Sequence, residues 1–125
     1  MKRVKYHAQQ VKGCTWCHNT HGSKIEAREC AHLHMLKLEQ GGKVVWVDVF
    51  PVVTLPGGEH WKLDFCVYEQ PVWGEDIIPV FVDVKGCETS EFKRKRKVFD
   101  TYHPARPLRI VKYSGKRRIV TGNPE

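Results

Sequence analysis

The chain has 125 residues and a mass of 14.5 kDa, 41% hydrophobic and 28% charged. That size and balance suit one globular domain with its own core and exclude a disordered chain. Twenty-one Lys and Arg against 14 Asp and Glu leave +7 and a pI near 9.3, a sign that attracts polyanions. No apolar run is long enough to span a bilayer, and no apolar stretch of signal-peptide type follows Met1-Lys2-Arg3-Val4-Lys5. The expectation is a cytoplasmic chain with no membrane partner.

Residues 1–22 are polar, carry His and Cys, and lack periodicity, so they read as an N-terminal arm or loop. Ser23-Lys24-Ile25-Glu26 fits a capping box, with the Ser hydroxyl and Glu carboxylate satisfying reciprocal backbone donors. Ile25, Ala27, Cys30, Ala31, Leu33, Leu36 and Leu38 recur near helical period, and Gly41-Gly42 stops the helix. Residues 44–50 and 52–55 are β-branched and apolar, with Pro51 signalling a bend or an edge between them. After the Pro56-Gly57-Gly58 turn, residues 60–68 alternate as one strand. Trp61, Leu63, Phe65 and Val67 face one way, and Lys62, Asp64, Cys66 and Tyr68 the other. A loop over 70–78 leads to an apolar strand over 79–85, ended by Gly86. A helix over 90–102 sets Phe92, Phe99 and Tyr102 on one side among basic residues, and Pro104 and Pro107 terminate it. A last strand spans 108–113, and 114–125 reads as a basic C-terminal tail. The order predicted is α-β-β-β-α-β over 23–113, an α/β domain.

The charge is uneven along this order. Residues 85–118 carry 12 Lys or Arg against Glu88, Glu91 and Asp100, a net +9 that leaves −2 for the rest. A basic third on a near-neutral body is the footprint of a nucleic-acid binder. Lys93, Arg94 and Lys97 are the residues expected to track DNA phosphates, which positions DNA without reading its sequence. Trp16, Trp46 and Trp61 read as core; Trp73, in a polar loop, is the candidate for a DNA contact.

The segment Val80-Phe81-Val82-Asp83-Val84-Lys85-Gly86 ends an apolar strand in Asp-x-Lys. Period-two geometry puts Asp83 and Lys85 on one face and turns Val84 into the core. If the preceding strand pairs with this one, Asp64 approaches Asp83. Two carboxylates that close repel unless a cation sits between them. Hard oxygen ligands suit Mg²⁺ or Mn²⁺, and a neighbouring Lys can stabilise phosphorane charge or orient the attacking water.

Asp64 with Asp83-x-Lys85 resembles the signature of the PD-(D/E)xK nuclease superfamily. The closer resemblance is to small phage-type nucleases long filed as a domain of unknown function. It is carried by Ser23-Lys24-x-Glu26-Ala27, Asp64-Phe65, and Asp83-Val84-Lys85-Gly86 followed by Thr89, Phe92 and a Lys-rich helix. It covers about 23–112. The Pro usual before the first Asp is replaced by Leu63, and the Cys/His segment 14–21 is no part of the pattern. The resemblance implies a restriction-endonuclease-like core, a mixed central sheet flanked by helices. It implies a DNA endonuclease, with Holliday-junction-resolvase-like action on branched DNA. Glu26, Asp64, Asp83 and Lys85 are then the catalytic residues, and Asp64, Asp83 and the Val84 backbone carbonyl the metal ligands. Such an enzyme would work in the host cytoplasm if phage-encoded, and symmetric cutting of a junction would call for a homodimer.

Five cysteines, Cys14, Cys17, Cys30, Cys66 and Cys87, make a disulfide framework a poor reading without a secretory signal. Cys66 and Cys87 read as small buried hydrophobes. Cys14-Thr15-Trp16-Cys17-His18 spells the c-type haem attachment motif, a chemistry that requires export. Zn²⁺ fits better. Cys14 and Cys17 have knuckle spacing and take His18 and His21 as further ligands, with Cys30, His32 and His34 as alternatives. The competing function is a non-catalytic nucleic-acid-binding module with a structural zinc. Such a module has no need of two acids beside a phosphate path, which favours the enzyme.

Overall fold

The computed structural model describes residues 9–125, so the first eight residues of the expected arm lie outside it. The chain runs α1 (Lys24–Leu38), β1 (Val44–Val49), β2 (Val52–Thr54), β3 (His60–Lys62), β4 (Phe65–Glu69), β5 (Ile78–Val84), α2 (Ser90–Tyr102), β6 (Arg109–Ser114) and β7 (Arg117–Gly122). Five strands form a mixed sheet in the order β1-β4-β5-β6-β7. Only β5 and β6 pair in parallel, and α2 supplies the crossover that a parallel pair needs. β2 and β3 form a separate antiparallel hairpin. The fold is α/β.

The sheet is covered on both faces. On one, α1 contributes Cys30 and Leu33 to a core with Val44, Phe65, Val67, Val82, Val84 and Val111. On the other, Phe92 and Phe99 of α2 meet Trp61, Leu63, Leu108 and Ile110. β4 is therefore buried on both sides rather than half-buried.

Residues 60–68 do not form the single alternating strand expected. The chain turns a corner at Leu63-Asp64, where Leu63 N–H donates to Pro51 and Phe50 N–H donates to Asp64. Trp61 and Leu63 enter the α2-side core, and Phe65 and Val67 the α1-side core. The break shifts the phase by one face, although the residue pattern runs through it unchanged.

α1 also departs from its pattern. Ser23 caps it as expected, its hydroxyl accepting from Glu26 N–H at 3.1 Å. The Glu26 carboxylate, however, reaches past Ser23 to accept from Gly22 N–H at 2.6 Å. The buried side of α1 includes Glu26 and Glu29, while Met35 and Leu38 are exposed. Burial of these acids is offset by partners. Glu29 accepts from Tyr113 Oη and from two nitrogens of Arg118, at 2.7–2.8 Å.

The expected basic tail contains β7, which pairs with β6 through a turn at Gly115. Its signal is the β-branched run Ile119-Val120-Thr121 behind a Gly. Trp16 and Trp46 are surface residues, not core: Trp46 Nε1 donates to Asp48 and its ring lies under Lys37. Cys66 is buried as expected, whereas Cys87 is exposed. Among the described residues, no helix is long and apolar enough to cross a membrane.

Candidate functional site

β4 and β5 pair antiparallel with Phe65 opposite Val82, so the next step of the register sets Asp64 opposite Asp83. Asp64 stands just before β4, at the chain's corner, and Asp83 near the end of β5. Both are buried, at 5% and 3% exposure. Asp64 Oδ2 accepts the Val84 N–H at 2.7 Å, which locks the first acid onto the Asp83-Val84-Lys85 segment. Val84 itself points into the α1-side core, as alternation requires.

Lys85 follows the same alternation. Its Nζ lies 2.9 Å from Asp83 Oδ2 and 4.3 Å from the centre of the Phe92 ring, on the α2 side of the sheet. The ion pair is one of proximity: Asp83 Oδ2 is buried and accepts no directed hydrogen bond. A buried carboxylate oxygen in that condition calls for an explanation. Lys85 sets one positive charge against Asp83, with Asp64 held close by through the Val84 N–H.

Glu26 lies in the first turn of α1, which adjoins this strand end. A Cβ placed on Gly86 would meet Ile25 Cδ1 at 3.8 Å. Glu26 Oε2 receives Gly22 N–H and stands 3.2 Å from His21 Nδ1. The buried His21 ring in turn rests against Phe50 and Phe65, the residues beside the Asp64 corner. Asp64, Asp83 and Lys85 thus meet where β4 begins and β5 ends, while the Glu26 carboxylate, in the neighbouring first turn of α1, is engaged by Gly22 and His21.

A second constellation sits on the α1 side. Cys14 Sγ, Cys17 Sγ, a ring nitrogen of His21 and Cys30 Sγ all lie within 4.8 Å of one another, a group able to hold a metal ion. The loop that presents them is closed by reciprocal hydrogen bonds between Val11 and His21 at 2.8–3.0 Å. Burial opposes a Cys14 thiolate, yet hydrogen bonds from the Cys17 and Trp16 backbone and from His21 and Cys17 side chains outweigh it. The Cys14 thiol is lowered to about 7. Burial alone would lower His21, but Glu26 and Cys14 raise it above its ordinary value. Cys30 goes the other way, raised chiefly by burial and by the neighbouring Cys17 and Cys14.

The expected zinc ligand set changes by one member. His18 is exposed, at φ +65°, and its backbone rather than its ring closes the loop onto the Cys14 carbonyl. Cys30 takes its place. Cys30 is one of the alternatives that the sequence offers, and the packing of α1 against the 11–21 loop is what brings it to the other three. His34 Nδ1 donates to the Cys30 carbonyl at 2.8 Å, and its ring stacks with Trp16.

The basic helix is less free than its sequence suggests. Arg94 pairs with Glu59 and Glu91, Lys95 lies within 4.0 Å of the same two acids, and Arg96 pairs with Glu88 and Asp100. Lys93 and Lys97, one turn apart and exposed, pair with no acid among the described residues. Trp73 is 91% exposed in the loop between β4 and β5.

No family model, no curated protein and no solved structure matches this chain.

Proposed function

We propose that the chain is a metal-dependent DNA endonuclease of PD-(D/E)xK type, hydrolysing phosphodiester bonds in DNA that includes branched substrates. The observation that carries this reading is the Asp64–Asp83–Lys85 arrangement: two buried acids facing across β4 and β5, tied by the Val84 N–H, with an ammonium 2.9 Å from the second. Further support comes from an α-helix, three antiparallel strands, a crossover helix and a parallel strand arranged around it, the order the superfamily's core would require.

Asp64, Asp83 and the Val84 carbonyl would hold Mg²⁺ or Mn²⁺, both of which prefer oxygen ligands. Such an ion supplies charge withdrawal from the phosphate and acidification of the attacking water. The remaining work falls to side chains. Asp64, held by the Val84 amide, keeps its second oxygen directed by a fixed backbone. Lys85 has three donors and no acceptor, so it addresses the phosphate and the attacking water rather than the metal. Glu26 provides the third acid, from α1. Lys93 and Lys97 would offer exposed charge along one face of α2 to the DNA backbone, with Arg94 contributing as far as Glu59 and Glu91 release it.

Lys85→Ala tests the chemistry apart from binding. It is expected to slow single-turnover cleavage on the order of 10²-fold while leaving DNA affinity and Mg²⁺ binding near wild type, as loss of one electrostatic stabiliser does. Lys85→Arg is expected to rescue poorly, because a planar fork cannot replace a compact ammonium. A folded Lys85→Ala protein that cleaves at the wild-type rate would remove Lys85 from the mechanism.

A further inference from the structure

We propose that Cys14, Cys17, His21 and Cys30 bind one structural Zn²⁺, and that His21, ligated through Nε2, uses Nδ1 to hold Glu26 in place. The second half rests on the nuclease reading; the first does not.

The distances carry the zinc assignment. Tetrahedral zinc with Zn–S of about 2.3 Å and Zn–N of about 2.0 Å sets neighbouring sulfurs about 3.8 Å apart, and sulfur and nitrogen about 3.5 Å apart. Cys14 Sγ and Cys30 Sγ are 3.9 Å apart, and Cys17 Sγ and His21 Nε2 are 3.3 Å apart. The sulfur separation is far beyond a disulfide bond of about 2.05 Å. It is the edge of a coordination tetrahedron, with Cys14, His21 and Cys30 already buried. Three sulfurs and an imidazole exclude Mg²⁺ and Ca²⁺, which take oxygen, and select zinc.

The histidine's second nitrogen supplies the link. Nδ1 donates to Glu26 Oε2, a carboxylate that cannot donate when ionised, and this leaves the Nε2 lone pair facing the sulfurs. That is the carboxylate–histidine–zinc arrangement by which outer groups orient a ligand. Here the orientation would run both ways, because Glu26 is the acid that the nuclease reading takes from α1. The metal would tie the 11–21 loop to the middle of α1 through Cys30 and to its first turn through His21 and Glu26.

Zinc is measured per chain on the full-length protein purified from zinc-supplemented cells, with Co²⁺ substitution as the spectroscopic check. The expected result is about one zinc per chain and the intense visible bands of tetrahedral thiolate-bound cobalt. His18→Ala is expected to keep the metal and Cys30→Ser to lose it. Should Cys30→Ser fail to fold, His21→Cys provides the second arm: four thiolates retain zinc, but the bond to Glu26 is gone. With zinc retained and the fold intact, this variant is expected to cleave about 10-fold or more slowly in kcat. Its KM for DNA should be unchanged and its Mg²⁺ requirement raised. Wild-type protein that binds neither zinc nor Co²⁺, or a His18→Ala protein that loses the metal as Cys30→Ser does, would overturn the site. A zinc-loaded His21→Cys protein with wild-type kcat and Mg²⁺ requirement would overturn the link to Glu26. Metal content is read without any cleavage assay, so failure of the nuclease reading leaves the zinc result standing.

Discussion

Asp83→Asn is expected to lower DNA cleavage on the order of 10³-fold, while DNA binding stays as tight or tightens. The carboxylate is a metal ligand in the proposed site, and losing several kcal/mol of transition-state stabilisation costs about a factor of ten per 1.4 kcal/mol. Binding should not suffer, because the change removes a negative charge from the path of the phosphates. Asp64→Asn is expected to do the same. Its amide oxygen can still accept the Val84 N–H that Asp64 Oδ2 now accepts at 2.7 Å, so the corner before β4 keeps its geometry. Single-turnover cleavage in Mg²⁺ and equilibrium binding on the same preparations check both. Wild-type cleavage by either variant would take that acid out of the site.

The largest expected effect on stability lies elsewhere, at Arg109. Its side chain is almost fully buried and joins β6 to β4, the strands on either side of β5. Nη1 and Nη2 bond Glu69 at 2.9 and 3.2 Å, while Nε and Nη2 donate to the carbonyls of Asn123 and Pro124 at 2.8 and 2.7 Å. Arg109→Ala leaves the buried Glu69 carboxylate without its partner and strips two carbonyls of their donors. The expected cost is about 3–5 kcal/mol, which for a domain of this size lowers Tm by roughly 10–20 °C. The double change Arg109→Met with Glu69→Leu should recover most of that loss, since apolar residues of similar volume replace a buried ion pair at little cost. Thermal unfolding of the two proteins decides. If the double variant were as unstable as Arg109→Ala, the carbonyl bonds rather than the ion pair would carry the loss.

Much of this architecture can be read from residue order. Ser23, Gly41-Gly42, Pro51 and Gly86 mark element ends that lie within two or three residues of the observed ones. Asp83 and Lys85 share a face because strand alternation leaves no other arrangement. What residue order concealed has physical causes. The corner at Leu63-Asp64 is made by backbone bonds to Phe50 and Pro51, distant partners that no local pattern records. Alternating residues continue across it while the sheet changes. Glu29 and Glu69 look like surface acids until Arg118 and Arg109, 89 and 40 residues away, come to meet them. The same pairing hides how much of the α2 charge is spent inside the protein. The Cys/His cluster is half legible: a CxxC announces itself, whereas Cys30 is singled out from the other candidates only when α1 is set against the 11–21 loop.

Cleavage by the wild-type chain tests the central claim most directly. Junction, duplex and single-stranded DNA are incubated with the full-length protein in Mg²⁺, in Mn²⁺ and in EDTA, with binding followed in parallel. Phosphodiester cleavage in Mg²⁺ or Mn²⁺, abolished in EDTA and restored by adding excess Mg²⁺, is the predicted result. Salt-sensitive DNA binding with no cleavage of any of the three substrates in either metal would contradict the nuclease and identify a nucleic-acid-binding module.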